Sequence, residues 1–414
     1  MKIIFCSMMF ADADENIRKS KKPNTVSGHK YQENLLRGLL DNECEVTVIN
    51  TPRIRKYPDY KKILIKADAF YLDKNVIGKN IGFINLFVIN YITQYIHICR
   101  ELEKTINKFK KEKVVLLVFN SYLIQSLAML KVKRKYKNII LCDSIGDIHG
   151  KYGITVKRIG IKGKIITWIE ELQDKIAVKF DAFVLHTKPM AEALHITNKP
   201  FCLMECPYKI SFLKETIEDK EKDRKVIMYA GALQEDYGLW HLIHAFLLIC
   251  DDKYFLQIAG SGDMAEEIKQ LSEKNDRIQY LGFISPAEVS EYQQRADILV
   301  NPRTSAYEFV KYSFPSKIME YLASGTPYVG HRLPCIPSEY DLYIQYPKDE
   351  SDEALMEKIV EICELSLEER KAIGEKARNF IIEEKNPKVM CKKIVHMLEG
   401  VKTSYEDEKH CIAK

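Results

Sequence analysis

A lysine and a glutamate, three positions apart in the segment Ser313–Pro327, are the residues whose types and spacing most directly suggest chemistry. The segment is predicted to form a short helix, because Ser313 is a favourable N-cap and Gly325 is typical of a helix C-terminus. Lys317 then falls in the first turn, where the positive end of the helix dipole disfavours a cation. A bound anion such as a phosphate would stabilise it there. Glu320, one turn further on, would supply a carboxylate for ribose hydroxyls.

A plain ion pair is the alternative interpretation of Lys317 and Glu320. Side chains three positions apart on a helix can pair at the solvated surface, and this requires no ligand. No acidic residue is predicted within the first turn to offset the lysine, which favours an anion supplied from outside the chain. The sequence alone leaves both interpretations open.

A second group of polar residues follows the predicted strand Ile139–Cys142. Asp143, Asp147 and His149 lie in one short loop, together with two glycines, directly after the strand. Carboxylates and an imidazole in such a loop are the residue types that perform acid–base catalysis. A loop histidine without chemical function is the alternative. We therefore treat Asp143 and His149 as candidate catalytic residues.

Gly28 lies between a predicted first strand, Lys2–Phe10, and a predicted helix, Tyr31–Leu40. The strand Glu45–Asn50 follows, so the order is that of a βαβ unit. A loop glycine above the strand ends would let a ligand approach the backbone, where open α/β sheets bind their ligands. A glycine that serves only a turn is the alternative.

A second alternating series of strands and helices begins near residue 226. Its strands end in Gly231, Gly260 and Gly282, and the fourth strand leads to Arg303. The carboxyl ends of parallel strands meet at one edge of a sheet, so these residues are predicted to share a ligand-binding edge.

The length of 414 residues indicates about two domains. Residues 214–225 are almost wholly charged and are predicted to form a surface linker. We therefore predict an N-terminal Rossmann-like domain over 1–205, a C-terminal Rossmann-like domain over 206–385, and a C-terminal helix and tail over 386–414. The fold class is α/β.

Composition excludes several classes of protein. A hydrophobic fraction of 46% and a charged fraction of 29% are those of an ordinary globular protein. The eleven cysteines are scattered without a CxxC pair, which indicates a reducing compartment and neither a disulfide framework nor a zinc ribbon. The apolar N-terminus lacks a cleavage site and is predicted to be a strand, not a signal peptide. No metal site is expected from the spacing of ligand residues.

Charge is distributed unevenly along the chain. Residues 1–205 hold 35 Lys and Arg against 21 Asp and Glu, a balance of +14, whereas the remainder holds 28 against 37, a balance of −9. An anionic lipid surface, a lipid-diphosphate acceptor and nucleic acid are possible partners of the basic half. A lysine-rich solvated surface would explain any single cluster, but the asymmetry as a whole favours a membrane.

The uncharged stretch 80–99 contains several polar side chains, and we predict an amphipathic or buried helix there that continues to about Phe109.

The second half of the chain resembles the retaining glycosyltransferases of family 4, which have the GT-B fold. The resemblance lies in Tyr229–Leu233, Ala259–Asp263, Leu281–Phe283, Ala296–Arg303 and Phe314–Pro327. A similar Ser-Phe-Pro-Ser-Lys-x-x-Glu-Tyr motif occurs in a subgroup that assembles capsule, exopolysaccharide or O-antigen. The resemblance implies two Rossmann-like domains facing each other across a cleft, with a C-terminal helix packing back on the N-terminal domain.

The resemblance also implies roles for particular residues. Glu320 matches the second glutamate of the family's Glu-x7-Glu motif, which binds the donor ribose. Ser316 lies where backbone N–H groups face the diphosphate, and Gly28 lies where the N-terminal glycine loop meets the diphosphate and the transferred sugar. His149, or failing it Asp143 or Asp147, is implied to lie near that sugar.

Two departures from the family pattern affect these assignments. Tyr312 occupies the position of the first glutamate, and Glu308 is the carboxylate that could take its place through a longer loop. The family's basic pair after the first strand of this domain is missing. Arg303 and Lys317 are the cations left to bind the diphosphate.

The implied activity is transfer of a sugar from a UDP- or GDP-sugar to a hydroxyl of a lipid-linked glycan, with retention of configuration. No cofactor, no essential metal and no nucleic acid are expected, and the expected location is the cytoplasm, at the inner face of the membrane. The alternatives are a sugar-nucleotide epimerase of the same fold and a non-catalytic sugar-nucleotide-binding subunit. The missing carboxylate at Tyr312 favours the second alternative.

Overall fold

The structure is a computed structural model that describes residues 1–10, 27–109, 112–148, 160–209 and 224–403. It divides into two compact units. The first comprises Met1–Pro207 with Pro387–Lys414, and the second comprises Tyr208–Asn386. Each unit is built on its own mainly parallel sheet with helices, as the alternating order of elements predicts.

An eight-stranded sheet forms the centre of the first unit's described part, in the order β10-β9-β8-β7-β1-β2-β5-β4. Its strands are β1 (Lys2–Ser7), β2 (Glu45–Asn50), β4 (Asp68–Leu72), β5 (Asn75–Asn80), β7 (Val114–Phe119), β8 (Ile139–Ile145), β9 (Ala182–Leu185) and β10 (Phe201–Leu203), while β3 (Leu64–Ile65) and β6 (Phe83–Ile84) form a separate ribbon. The strand order reverses between β1 and β7, which creates a switch point at their carboxyl ends.

Six described helices belong to the first unit. They are α1 (Ser27–Asp41), α2 (Ile89–Phe109), α3 (Leu123–Lys135), α4 (Gly160–Ala177), α5 (Lys188–Ala193) and the C-terminal α12 (Pro387–Gly400). β7 and β8 are buried along their whole length, as expected for central parallel strands. The helix predicted within the uncharged stretch 80–99 begins only at Ile89 and continues to Phe109 as α2. The earlier part of the stretch contains the ribbon strand β6. In the described part of the chain, no helix is long and apolar enough to cross a membrane.

The C-terminal helix α12 packs against α1 in the core of the first unit, which confirms the predicted return of the chain. Met390, Cys391, Ile394 and Leu398 lie in the same hydrophobic cluster as three leucines of α1. The two helices lie close together at Gly38, where a Cβ atom would lie 2.2 Å from the Pro387 carbonyl oxygen and 2.4 Å from Cys391 Sγ.

The second unit has a five-stranded parallel sheet in its described part, in the order β13-β12-β11-β14-β15. Its strands are β11 (Lys225–Ala232), β12 (Tyr254–Ser261), β13 (Ile278–Gly282), β14 (Ile298–Asn301) and β15 (Tyr328–Gly330). Here the order reverses between β11 and β14. The carboxyl ends of these two strands therefore flank the switch point, where open α/β sheets bind ligands.

Six described α-helices surround this sheet. They are α6 (Leu239–Leu247), α7 (Ala265–Lys274), α8 (Pro286–Arg295), α9 (Lys317–Ser324), α10 (Asp352–Glu364) and α11 (Leu367–Glu384). Capping boxes begin α8 at Ser285 and α11 at Ser366, each with a glutamate three positions later. Local sequence thus determines where these two helices start.

Substitution of Gly38 by alanine tests the packing of α12 on α1. We expect Gly38→Ala to lower the free energy of unfolding by about 1–3 kcal/mol, because the added methyl group overlaps backbone atoms that cannot rotate away. Urea unfolding of the full chain measures this. Gly400→Ala is the control, since no atom of the described residues lies within 4 Å of a Cβ at that position. Equal stability of both variants would contradict the close crossing at Gly38.

Candidate functional site

Helix α9 begins at Lys317, with Ser316 at the N-cap. The prediction that Ser313 caps this helix is wrong. Ser313 belongs to the preceding turn, where its backbone N–H donates to the Phe309 carbonyl at 3.2 Å. The later start brings Glu320 into the first turn, so the expectation that no acid lies there is also wrong. Gly325 ends the helix in the left-handed conformation, with φ +82°, as predicted.

A tyrosine on α9 fixes the helix to the end of β11. The Ala230 N–H donates to Tyr321 Oη at 2.9 Å, and the same hydroxyl donates to the Ala230 carbonyl at 3.2 Å. Tyr321 is completely buried. The first turn of α9 is therefore held beside the switch point of the sheet.

Lys317 extends from this first turn across the end of β11. Its Nζ donates to Tyr229 Oη at 2.6 Å and lies 3.9 Å from the centre of the Tyr229 ring. The Tyr229 hydroxyl donates in turn to the Ala232 carbonyl at 2.7 Å. A Cβ atom at Gly231 would lie 1.8 Å from Lys317 Nζ, so the lysine occupies space that only a glycine leaves open.

Gly260 has a related role on the neighbouring strand. It is the parallel partner of Gly231, and a Cβ atom there would lie 1.8 Å from the Gly231 carbonyl oxygen. The two glycines therefore let the ends of β11 and β12 lie close together beneath Lys317. Backbone exposed in this way can be approached by a ligand.

Arg303 lies beyond the end of β14, on the other side of the switch point. It is 8% exposed, and its guanidinium lies 4.2 Å from the Tyr237 ring centre and 5.3 Å from that of Phe309. Among the described residues, its Nε has no hydrogen-bond partner. Gly238, with φ +78°, allows this packing, because a Cβ atom there would lie 2.3 Å from the Pro302 carbonyl oxygen.

The two cations act on each other electrostatically. Burial, with a smaller contribution from the nearby Arg303, lowers the pKa of Lys317 to about 7, while Glu320 acts in the opposite direction. Burial is the main cause, because it removes water from the charged form of the lysine. Two cationic side chains close to each other, one of them in the first turn of a helix, suit an anion with several oxygens.

The other predicted site residues of the second unit are Ser316, Glu320, Glu308 and Gly282. Ser316 is exposed at the N-cap of α9, and Glu320 is close enough to influence Lys317. Glu308 is exposed in the 3-10 turn Glu308–Lys311 and accepts a weak hydrogen bond of 3.4 Å from Tyr312 Oη. Gly282 ends β13, two strands away from β11, and no described atom lies within 4 Å of a Cβ there.

In the first unit, Asp143 is buried inside β8, which runs to Ile145, so the prediction that it lies in the loop after the strand is wrong. It accepts hydrogen bonds from the backbone N–H of Ser121, at 3.1 Å, and from the Ser121 hydroxyl. Ser121 and the preceding Asn120 both have positive φ, and Asn120 Oδ1 accepts from the Gly146 N–H at 2.7 Å. The carboxylate thus stabilises the turn after β7 at the first switch point.

Gly28 lies in the first turn of α1, one turn earlier than the predicted helix start, and so does not belong to a loop. A Cβ atom there would lie 3.1 Å from the Arg53 guanidinium and 3.6 Å from the Phe119 ring. Gly28 therefore faces the end of β7. His149 lies outside the described residues.

His186 is a polar residue at this edge to which the sequence analysis assigned no role. It follows β9, is 7% exposed, and lies 5.3 Å from the Tyr31 ring, centre to centre. Within the described ranges neither of its ring nitrogens has a hydrogen-bond partner. Burial lowers its pKa to about 4, so the imidazole is neutral at physiological pH. The signal in the sequence is a histidine directly after the apolar run Ala182–Leu185.

The structure therefore brings together Gly231, Gly260, Arg303 and Lys317 in the second unit, and it adds Tyr229 and Tyr237 to them. In the first unit it brings Gly28 and Asp143 to the same sheet edge as His186. In the part of the chain that is described, no group of three or more His, Cys, Asp or Glu side chains could hold a metal ion.

Residues 213–380 match the family model described as "Glycosyl transferases group 1". Over 123 residues the chain is 31% identical to the alpha-monoglucosyldiacylglycerol synthase of Streptococcus pneumoniae. This match covers 28% of the chain and 26% of the relative, so the chain aligns with about a quarter of that relative's length. The similarity to group 1 glycosyl transferases therefore lies in the second unit.

Solved structures resemble the chain over nearly its whole length. The sucrose-phosphate synthase of Thermosynechococcus elongatus has a TM-score of 0.63 at 13% identity, covering 96% of this chain and 98% of that one. Anabaena Alr3699/HepE in complex with UDP has a TM-score of 0.61 at 13% identity, covering 97% and 100%. S. aureus TarM, as a variant in complex with fondaparinux, alpha-GlcNAc-glycerol and UDP, has a TM-score of 0.60 at 12% identity, covering 96% and 99%. The chain has the GT-B fold, with two Rossmann-like domains, as predicted.

The buried neutral histidine has a consequence for stability in acid. His186 takes up a proton near pH 6.5 in the unfolded chain but only near pH 4 in the folded one. Between these values the unfolded state binds more protons, so stability falls as pH falls, by up to about 1.4 kcal/mol per pH unit from this group. Urea unfolding across this range should show a shallower decline for His186→Phe.

The control is His396→Phe, which removes an exposed histidine of α12. It is expected to follow the wild type. If His186→Phe followed the wild type as well, His186 would not be a buried neutral group.

Proposed function

We propose that the protein is a retaining glycosyltransferase that moves a sugar from a nucleoside-diphosphate sugar to a hydroxyl of a lipid-linked glycan. The family match over residues 213–380 supports glycosyl transfer. The observation that carries the proposal is the pair of cations, Lys317 and Arg303, beside the switch point of the second sheet.

The second unit binds the donor in this proposal. A diphosphate places negative oxygens between the Lys317 ammonium and the Arg303 guanidinium, whose Nε has no partner among the described residues. The N-terminus of α9, with Ser316 exposed at its cap, adds backbone N–H groups and a favourable dipole. Gly231 leaves room for the Lys317 side chain at the end of β11, and Gly260 lets β12 lie close beside it.

Glu320 is proposed to bind the ribose of the donor. It lies one turn beyond the N-cap of α9, and its effect on the pKa of Lys317 supports a position beside the phosphate site. Glu308 is exposed four residues before Tyr312, in the turn whose Phe309 packs under Arg303. It is our candidate for the carboxylate that Tyr312 does not provide.

The chemical step requires stabilisation of the leaving diphosphate. The bond between the anomeric carbon and the diphosphate oxygen breaks as negative charge develops on that oxygen. The acceptor oxygen bonds to the same carbon, on the same face, and passes its proton to the departing diphosphate. Two fixed cations and a helix N-terminus provide charge where it develops, so the step needs no protein nucleophile and no metal.

The first unit is proposed to bind the acceptor. His186 presents two ring nitrogens that have no partner within the described ranges, and a neutral imidazole both donates to and accepts from sugar hydroxyls. The turn that Asp143 stabilises borders the same sheet edge. The basic balance of +14 over residues 1–205 supports an anionic, lipid-linked acceptor at the cytoplasmic face of the membrane. The partial likeness to a synthase of a glycosylated diacylglycerol supports a lipid acceptor further.

Removal of the lysine tests the phosphate site. Lys317→Ala is expected to weaken the binding of UDP or GDP by about 10- to 100-fold, because a charge-assisted hydrogen bond to the diphosphate is lost. Isothermal titration calorimetry measures the affinity. Lys311→Ala removes an exposed lysine six positions earlier and is the control. Unchanged binding of both nucleotides to Lys317→Ala would exclude this site.

Incubation with the donor alone separates transfer from epimerisation. A transferase releases free sugar and nucleoside diphosphate only slowly without an acceptor, because water replaces the acceptor hydroxyl poorly. Rapid conversion of the sugar nucleotide to its epimer, or to the free sugar, would contradict the proposed activity. Screening UDP- and GDP-sugars by product analysis, with and without membrane lipid extract, makes this measurement.

A further inference from the structure

An apolar surface is exposed on the first unit where the β3–β6 ribbon meets the start of α2. Its side chains are Ile63, Leu64, Phe87, Val88, Ile89 and Ile92. Phe87 is 74% exposed and Leu64 is 62% exposed. Single exposed apolar residues are common, but a group of six on adjoining segments is typical of a binding surface.

This apolar surface is held in place by buried polar groups. The Asn85 N–H donates to the Ile63 carbonyl at 2.6 Å, and its side-chain amide donates to the Lys62 carbonyl at 3.3 Å. Asn90, in α2, donates to Asn85 Oδ1 at 3.0 Å. The two segments that carry the apolar side chains are therefore joined to each other, and their exposure is part of the fold.

Helix α2 is apolar on two sides. Ile98 and Leu102 are buried on the side that packs in the unit. Ile89, Ile92 and Ile96 recur at intervals of three and four positions, so they form one line along the outer side. All three are at least 39% exposed. A solvated helix would carry polar side chains along that line.

Cations border the apolar surface. Residues 55–66 contain five Lys and Arg against the single acid Asp59, a balance of +4. The Lys56 ammonium lies 5.1 Å from the Phe87 ring centre and 4.3 Å from that of Tyr91. Lysines beside exposed aromatic and aliphatic side chains are the arrangement by which a protein lies on an anionic bilayer surface.

We propose that the apolar surface and its bordering lysines dock the first unit on an anionic lipid bilayer. The apolar side chains enter the boundary between headgroups and acyl chains, and the lysines contact lipid phosphates. A protein partner fits less well, because lysine is depleted at protein–protein interfaces. In contrast, both halves of the arrangement match the chemistry of a negatively charged membrane.

The position of this surface links membrane docking to the acceptor. This link rests on the proposed function. Asn50 and Asn80 pair at the carboxyl ends of β2 and β5, and α2 begins shortly after that edge. The same edge of the first sheet carries Gly28 and His186. Docking there would bring the proposed acceptor site close to the lipid to which the acceptor is linked.

Vesicle co-sedimentation of the full chain tests this proposal. We expect binding to vesicles that mix phosphatidylglycerol with phosphatidylcholine, weak binding to phosphatidylcholine alone, and a decline with added salt. The double variant Phe87→Asp with Ile92→Asp should reduce binding on the order of 100-fold, since two inserted side chains become charged. Lys61→Ala with Lys62→Ala should reduce it about fivefold per lysine.

Two control variants carry matched changes elsewhere. Leu342→Asp alters an apolar side chain of the second unit that is 68% exposed. Lys104→Ala with Lys108→Ala removes two exposed lysines from the far half of α2. Both controls should bind vesicles like the wild type, and circular dichroism should show that every variant is folded.

Two results would overturn the proposal. The wild type could fail to bind the anionic vesicles, or it could bind them no better than the Phe87→Asp, Ile92→Asp variant does. A lipid-free dimer that this variant disperses would identify the surface as an interface between copies of the chain. UDP affinity, measured in parallel, distinguishes the two proposals. If the wild type binds UDP but no vesicles, only the docking proposal is contradicted. If it binds vesicles but no nucleotide, only the proposed function is contradicted.

Discussion

Two cationic side chains, Lys317 and Arg303, lie close together beside the switch point of the second sheet. Burial and Arg303 together hold the pKa of Lys317 near 7, while Glu320 acts in the opposite direction. This arrangement is one that the proposed diphosphate would stabilise, because negative oxygens favour the charged ammonium. Gly231, Gly238 and Gly260 are required for it, because any side chain at these positions would overlap the lysine or the backbone.

The sequence predicted the cationic pair more completely than its surroundings. A lysine in the first turn of a helix and an arginine after a strand are local features, and the resemblance, which lacks the family's other basic pair, pointed to the same Lys317 and Arg303. Tyr229 could not, because its hydroxyl meets Lys317 only through the pairing of β11 with a helix 88 positions later. Ser313 was assigned to the cap because its residue type is suitable, but the preceding 3-10 turn uses its N–H. The fold was predictable for the same reason: strand and helix periodicity is local.

Acceptor binding and membrane docking are the functions proposed for the first unit. His186 has unpartnered ring nitrogens among the described residues, yet sequence reasoning gave it no role, because burial without a hydrogen-bond partner is a property of the folded chain. The exposed isoleucines of α2 could not be identified from the sequence for a similar reason. Residues 80–99 contain both buried and exposed apolar side chains, and only the packing of the helix separates the two sets. The basic residues next to them, in contrast, are evident from composition.

Proton uptake on nucleotide binding shows whether the diphosphate contacts Lys317. If the diphosphate contacts Lys317, its charge raises the pKa of the ammonium, so at a pH of about 8 the protein takes up close to one proton as UDP binds. Isothermal titration calorimetry in two buffers of different ionisation enthalpy measures the number of protons. We expect close to one proton for the wild type and none for Lys317→Ala. An observed enthalpy of UDP binding to the wild type that does not depend on the buffer would contradict it.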